Sequence, residues 1–134
     1  MSAIIKISIR TAMVSLVLVP QHALAAEPYA ITIEHGVEAK MRDGTILRAD
    51  IYRPTAPGKF PVILKRTPYD KHNVDAADFG VKGALRGYVV INQDVRGRYT
   101  SEGEWYPFLH ESSDGYDTVE WAAALPYSNG KVGM

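Results

Sequence analysis

The 134-residue chain contains no cysteine, so disulfide scaffolds, thiolate zinc sites, thiol nucleophiles and a lipid-bearing cysteine are excluded by inventory. Neither sign of charge is in excess: 15 basic side chains stand against 15 acidic ones, with no Lys/Arg-rich run. That balance offers nucleic acid no footing, and a small-molecule partner is expected instead. Internal repeats and low-complexity segments are missing too. So is any apolar run of the roughly 20 residues a membrane-spanning helix needs. What is there, 46% hydrophobic and 22% charged, is the composition of one ordinary globular domain.

At the N-terminus, Lys6 and Arg10 precede an apolar stretch from Ala12 to Val19, then Pro20 and Ala23-Leu24-Ala25. A basic start, a short apolar run and small residues before a cleavage point are the layout of a signal peptide. It is expected over residues 1–25, with cleavage before Ala26, a periplasmic or secreted product and no membrane partner once it is removed. Loss of Lys6 and Arg10 leaves the mature chain slightly acidic.

From Ile31 to Tyr52 two stretches rich in alternating apolar residues flank Asp43-Gly44, the strongest short-range hairpin signal. Pro54, Pro57, Gly58 and Pro61 punctuate a loop, and Val62-Ile63-Leu64 reads as a buried strand. Residues 73–86 have loose helical spacing weakened by Gly80 and Gly83. Tyr88 to Asn92 is the β-branched run typical of a parallel strand covered on both faces. Ser112, Ser113, Asp114 and Asp117 supply caps and first-turn carboxylates for a helix to about Leu125, stopped by Pro126. Ser128-Asn129-Gly130 then turns the chain into the start of a strand at Lys131 to Met134. The order is that of the opening half of an α/β fold with a mixed sheet and an antiparallel N-terminal hairpin. A right-handed crossover is expected to bring the last strand inside the sheet, where it is cut short.

Three stretches now fall in one order: Met41-Arg-Asp-Gly-Thr-Ile-Leu-Arg-Ala-Asp-Ile-Tyr-Arg-Pro54, Arg66-Thr-Pro-Tyr-Asp-Lys71, and Gln93-Asp-Val-Arg-Gly-Arg98 running into Ser101-Glu-Gly-Glu104. With Asn129 to Met134 they resemble the CocE/NonD family of serine hydrolases, the group of cocaine esterase and the X-Pro dipeptidyl-peptidases. The resemblance runs from about Val37 to Met134 and implies an α/β-hydrolase domain over residues 26–134. It also implies cleavage of a small-molecule carboxylic ester or amide through an acyl-serine, with no cofactor and no metal. In that family the segment resembling Gly130 to Met134 leads into a Gly-x-Ser-x-x-Gly elbow that carries the nucleophile, and the acid and histidine come later. All three are therefore expected to lie outside this chain, which is read as a fragment that is inactive alone. A small secreted non-catalytic binding module and a non-functional truncated product are the rival readings.

No other residue replaces the missing serine. Ser128 precedes a strand, whereas an elbow follows one, and Ser101 stands in a loop without the first glycine. His22 leaves with the signal peptide, and His35, His72 and His110 are assigned surface or local hydrogen-bonding roles. Asp94 and Arg96 are read as a buried carboxylate and guanidinium that organise a loop turned by Gly97. Asp70 and Lys71 face substrate or solvent on this reading, and a lysine there would repel a substrate ammonium. One residue carries catalytic meaning through the resemblance: Tyr69, whose buried phenol is expected to donate a hydrogen bond to the tetrahedral oxyanion.

Overall fold

Alternation of apolar residues at the N-terminal end of the mature chain builds a hairpin. β1 (Ile31–Lys40) and β2 (Ile46–Pro54) pair antiparallel, and Gly44 (φ 90°) supplies the left-handed residue their turn requires. The computed structural model describes residues 26–134; the expected signal peptide, residues 1–25, lies outside the described residues. β3 (Phe60–Thr67), α1 (Val74–Ala84), β4 (Val89–Asp94), α2 (Glu111–Ala124) and β5 (Ser128–Gly133) follow. The strands form one mixed sheet in the order β1-β2-β4-β3-β5. β2 meets β4 antiparallel, while β3 runs parallel to both β4 and β5.

The two faces of the sheet are read off strand parity. Ala49, Ile51, Val62, Leu64, Val89 and Ile91 are buried on one face, against Val119, Ala122 and Leu125 of α2. Tyr52, Ile63 and Val90 occupy the other, against Ala77, Val81 and Ala84 of α1. A strand buried on both faces has no polar side to spare, and β4 is buried at every position.

The glycines of α1 acquire a different meaning in three dimensions. A Cβ on Gly80 would stand 2.5 Å from the Tyr52 ring, and one on Gly83 2.5 Å from Val90 Cγ2. Their propensity cost is therefore the condition for pressing the helix onto β2 and β4. At α2 the expected caps are used otherwise. His110 is the N-cap residue and makes no side-chain cap bond, Asp114 turns into the interior, and Asp117 binds Arg42. That last contact, a main-chain bond of 2.9 Å plus guanidinium bonds of 2.7 and 3.0 Å, ties the β1–β2 turn to α2.

The C-terminal strand departs from expectation twice. β5 starts at Ser128, with Asn129-Gly130 forming an irregularity inside its pairing to β3 rather than a turn before it. It also sits at the edge of the described sheet. β4 already has β2 on one side and β3 on the other, so the crossover through α2 reaches the first free flank, beyond β3.

Two carboxylates make this packing sensitive to acid. The Arg42 hydrogen bonds hold the Asp117 carboxyl below the usual carboxylate range, and the Arg96 guanidinium holds Asp43 far below it. Both groups bind a proton less readily folded than unfolded, so their stabilisation is present above the unfolded value of about 3.9 and is lost as pH falls below it. The melting temperature is expected to hold between about pH 7 and 5 and to fall below about pH 4. Asp117→Asn should flatten that decline in a scanning-calorimetry series, and an unchanged slope would remove this ion pair from the account.

Candidate active site

Pro68 ends β3 after Thr67, and the chain leaves the sheet at Thr67-Pro68-Tyr69 on the side where the parallel strands β3 and β4 finish. The main-chain N–H of Tyr69 donates to Thr67 Oγ1 at 3.0 Å. Asp70 then adopts φ 77°, an uncommon left-handed state for a residue with a side chain. The turn is held locally: Asp70 Oδ1 accepts the His72 N–H at 2.9 Å, and Asn73 Nδ2 donates to the Asp70 carbonyl at 2.6 Å. Asn73 also caps α1, its Oδ1 accepting the Ala76 N–H at 2.9 Å.

The stronger anchor is Asp94, the last residue of β4, fully buried. Its Oδ1 accepts the Lys71 N–H at 2.8 Å, its Oδ2 accepts the Thr100 hydroxyl at 3.0 Å, and its carbonyl accepts Ser101 Oγ at 2.7 Å. Lys71 is turned inward rather than toward substrate or solvent. It is 1% exposed, its Nζ donates to Thr100 Oγ1 at 2.9 Å, and it lies 3.4 Å from Asp94 Oδ2. An ammonium so placed repels nothing at the surface.

Asp94 and Arg96 both organise loops, but not as partners of one another. Arg96 takes Asp114 as a bidentate partner at 2.9 and 2.6 Å and reaches Asp43 at 2.8 Å and Thr45 Oγ1 at 2.6 Å. The Asp114 bond, then Asp43, raises the guanidinium further above its ordinary value. β4 ends at Asp94, so Arg96 lies in the turn beyond the strand and finds partners of its own on α2 and the hairpin turn, while Asp94 binds the loop before α1. Gly97 (φ 67°) makes the turn between them and the rest of the loop, as expected.

The Tyr69 ring stands 77% exposed among the described residues, not buried. It borders a cleft of about 320 Å³ with Pro68, Val95, Trp105 and Phe108, next to the ion pair of the buried Arg66 with Glu111 at 2.5 Å. Arg98 braces this rim: its Nε donates to the Pro68 carbonyl at 3.0 Å, and its guanidinium lies over the Trp105 ring at 4.9 Å. The aromatic wall formed by Trp105 and Phe108 was not legible in the sequence, because a loop position reveals nothing of which strand end it folds against. Chemically, the cleft offers a neutral phenolic donor beside an apolar surface.

The serines stay out of it. Ser101 spends its hydroxyl on the Asp94 carbonyl and the Arg48 N–H, and Ser128 Oγ accepts the Gly130 N–H at 3.1 Å. Among the described residues no serine hydroxyl meets a histidine ring. His110 stands at the start of α2. His35 and His72, taken singly as surface residues, converge instead on the buried Asp50, at 2.9 and 3.2 Å. Residues separated by 15 and 22 positions carry no spacing signal for such a meeting, so only the fold could reveal it.

The family model of the X-Pro dipeptidyl-peptidases (S15 family) matches residues 43–134. Cocaine esterase from Rhodococcus sp. (strain MB1 Bresler) is 40% identical over 107 residues, an alignment covering 77% of this chain and 19% of that enzyme. The crystal structure of a CocE/NonD family hydrolase from Staphylococcus aureus superposes with a TM-score of 0.68 at 31% identity, over 77% of this chain and 22% of the other. An α-amino acid ester hydrolase superposes at 0.63 with 29% identity, over 90% and 24% of the two chains. The chain thus spans about a fifth of the length of these relatives, and its mixed sheet with helices on both faces is that of the α/β hydrolases.

The loop that presents the cleft depends on one glycine. A Cβ on Gly97 would lie 2.2 Å from the Trp105 nitrogen and 2.5 Å from the Glu104 carbonyl carbon, main-chain atoms with no easy escape. Gly97→Ala should destabilise the chain by about 2 kcal/mol or more in urea denaturation. A change under about 0.5 kcal/mol would mean the loop adjusts freely.

Proposed function

Because the chain belongs to the X-Pro dipeptidyl-peptidase (S15) family, a family of hydrolases, we propose that it is the N-terminal part of an exported serine hydrolase and that Tyr69 is one of its oxyanion donors. The substrate is a carboxylic ester or amide of a small molecule. A serine hydroxyl attacks its carbonyl carbon, the carbonyl oxygen takes up the charge, and the leaving group departs as the acyl-serine forms. A phenol suits the developing oxyanion because it donates a hydrogen bond while remaining neutral at physiological pH.

The observation that carries this reading is the position of Tyr69 at the carboxyl ends of β3 and β4, on a loop whose next residues are bound by the buried Asp94. Open α/β sheets bind their ligands at that end. The neighbouring Trp105 and Phe108 supply apolar surface for the acyl or leaving group. β5 supports the same reading, since its sequence resembles the strand that runs into the nucleophile elbow in this family. Export rests on the signal-peptide pattern of residues 1–25.

In the full-length hydrolase, Tyr69→Phe is expected to lower kcat about 10²- to 10³-fold, the usual effect of losing one oxyanion donor, with the melting temperature unmoved. Wild-type turnover in that variant would remove Tyr69 from the site. The 134-residue chain by itself should hydrolyse p-nitrophenyl acetate no faster than buffer, since its described serines are not activated. Turnover that survives repurification and disappears in Ser101→Ala would overturn that expectation.

A further inference from the structure

Tyr69 is 77% exposed and has little packing to fix the direction of its ring, so its aim depends on the main chain that carries it. The peptide unit between Pro68 and Tyr69 is planar, and it is held at both edges. Its N–H donates to Thr67 Oγ1 at 3.0 Å, and its carbonyl oxygen accepts Arg98 Nε at 3.0 Å. Thr67 is the end of β3 itself, whereas Arg98 comes from the β4–α2 loop, 30 residues away in sequence. On the reading of Tyr69 as an oxyanion donor, we propose that Arg98 is a positioning residue for the reaction. Acting through the Pro68 carbonyl, it sets the direction of Tyr69 and ties it to the Trp105 wall of the cleft.

Arg98 is free for that task. Arg66 is taken by Glu111, and Arg96 by Asp114 and Asp43, but Arg98 has no ion-pair partner among the described residues. Its half-buried guanidinium lies instead against two rings, 4.9 Å from the centroid of Trp105 and 5.3 Å from that of Tyr99. Gly97 lets the Trp105 main chain come this near, since a Cβ there would meet the Trp105 nitrogen at 2.2 Å. A planar guanidinium can lie over an indole while its Nε–H points at a carbonyl, two contacts that the compact ammonium of a lysine does not make together.

The consequence for rate is geometric. An oxyanion donor has to meet the developing charge at about 2.7–3.1 Å, and a misplacement of about 1 Å costs up to about 100-fold. Without the Arg98 bond, the peptide before Tyr69 keeps only its N–H bond to Thr67, and the next fixed point is the Lys71 N–H, held by Asp94 at 2.8 Å. The exposed ring then samples directions in which its hydroxyl misses the oxyanion. The apolar wall is disturbed less, because the Trp105 main chain stays packed on Gly97, so the loss falls on kcat rather than on KM.

The test is a double-mutant cycle in the full-length hydrolase with p-nitrophenyl acetate, comparing wild type, Arg98→Met, Tyr69→Phe and the two together. Arg98→Met is expected to lower kcat about 10-fold with KM changed less than about twofold, and Arg98→Lys, which keeps a donor, to recover part of the loss. In the Tyr69→Phe background the same Arg98→Met change should cost less than about twofold, because the hydroxyl it directs is gone. An equal loss in both backgrounds would make Arg98 a structural residue only and overturn the proposal. So would an undiminished kcat in Arg98→Met beside a slow Tyr69→Phe enzyme, whereas wild-type turnover in Tyr69→Phe would overturn the oxyanion reading and the proposal with it. Hydrogen exchange in the unsubstituted 134-residue chain checks the contact without any variant: the Arg98 Nε–H should exchange at least about 10-fold more slowly than that of the exposed Arg86. Equal rates would also overturn the proposal.

Discussion

A carboxylate buried at the end of a buried strand has to be met from every side, and the loops around the cleft take their shape from meeting Asp94. Taking such a charge out of water costs several kcal/mol unless hydrogen bonds and an opposite charge replace the lost solvation. Here the replacement comes from a main-chain N–H and an ammonium of one loop, Lys71, and from the Thr100 hydroxyl of another, while Ser101 binds the Asp94 main-chain carbonyl. Removing one partner from such a set is worth about 3–5 kcal/mol, more than any local turn preference in these loops. Asp70 can therefore be held at a positive φ, and Tyr69 is delivered to the rim of the sheet as a by-product of satisfying Asp94.

The opposite face has the same logic with different atoms. Arg96 enters beside Asp114 of α2 and draws Asp43 and Thr45 of the hairpin turn onto it, so the β4–α2 loop is fastened at both the helix and the hairpin. Arg66 does likewise, joining Gln93 at 2.9 Å and Glu111 at 2.5 Å beneath Trp105 and Phe108. The anchors built on Asp94, Arg96 and Arg66 thus lie where β3 and β4 end, and the apolar contacts lie along their middles. This segregation lets a densely packed sheet carry a polar, shaped rim on which hydrolytic chemistry can be arranged.

How much of this was legible in the sequence depends on whether the cause was local. The hairpin, both helices and the succession of elements along the chain follow from turn residues and periodicity, which act over a few positions, and the structure has them all. Gly97 at a turn is likewise a local matter. The partners of Asp94 and Arg96 were legible only in kind, since the sequence shows two opposite charges two residues apart, whereas the strand ends at Asp94 and the turn beyond it gives Arg96 separate partners. The glycines of α1 looked like weaknesses, and the role of Gly80 against Tyr52 needed the helix to be docked first.

The sequence by itself therefore determined the elements, the fold family and the stretch holding Tyr69, because propensity, hydrophobic period and motif order are properties of neighbouring residues. Tertiary structure alone decided the inward turn of Lys71, the exposure of Tyr69 beside Trp105 and Phe108, the edge position of β5, and the meeting of His35 with His72 over Asp50. Each of these depends on which surfaces remain free after the sheet has closed around β4. That is a question of space shared between distant segments, and no spacing along the chain records it.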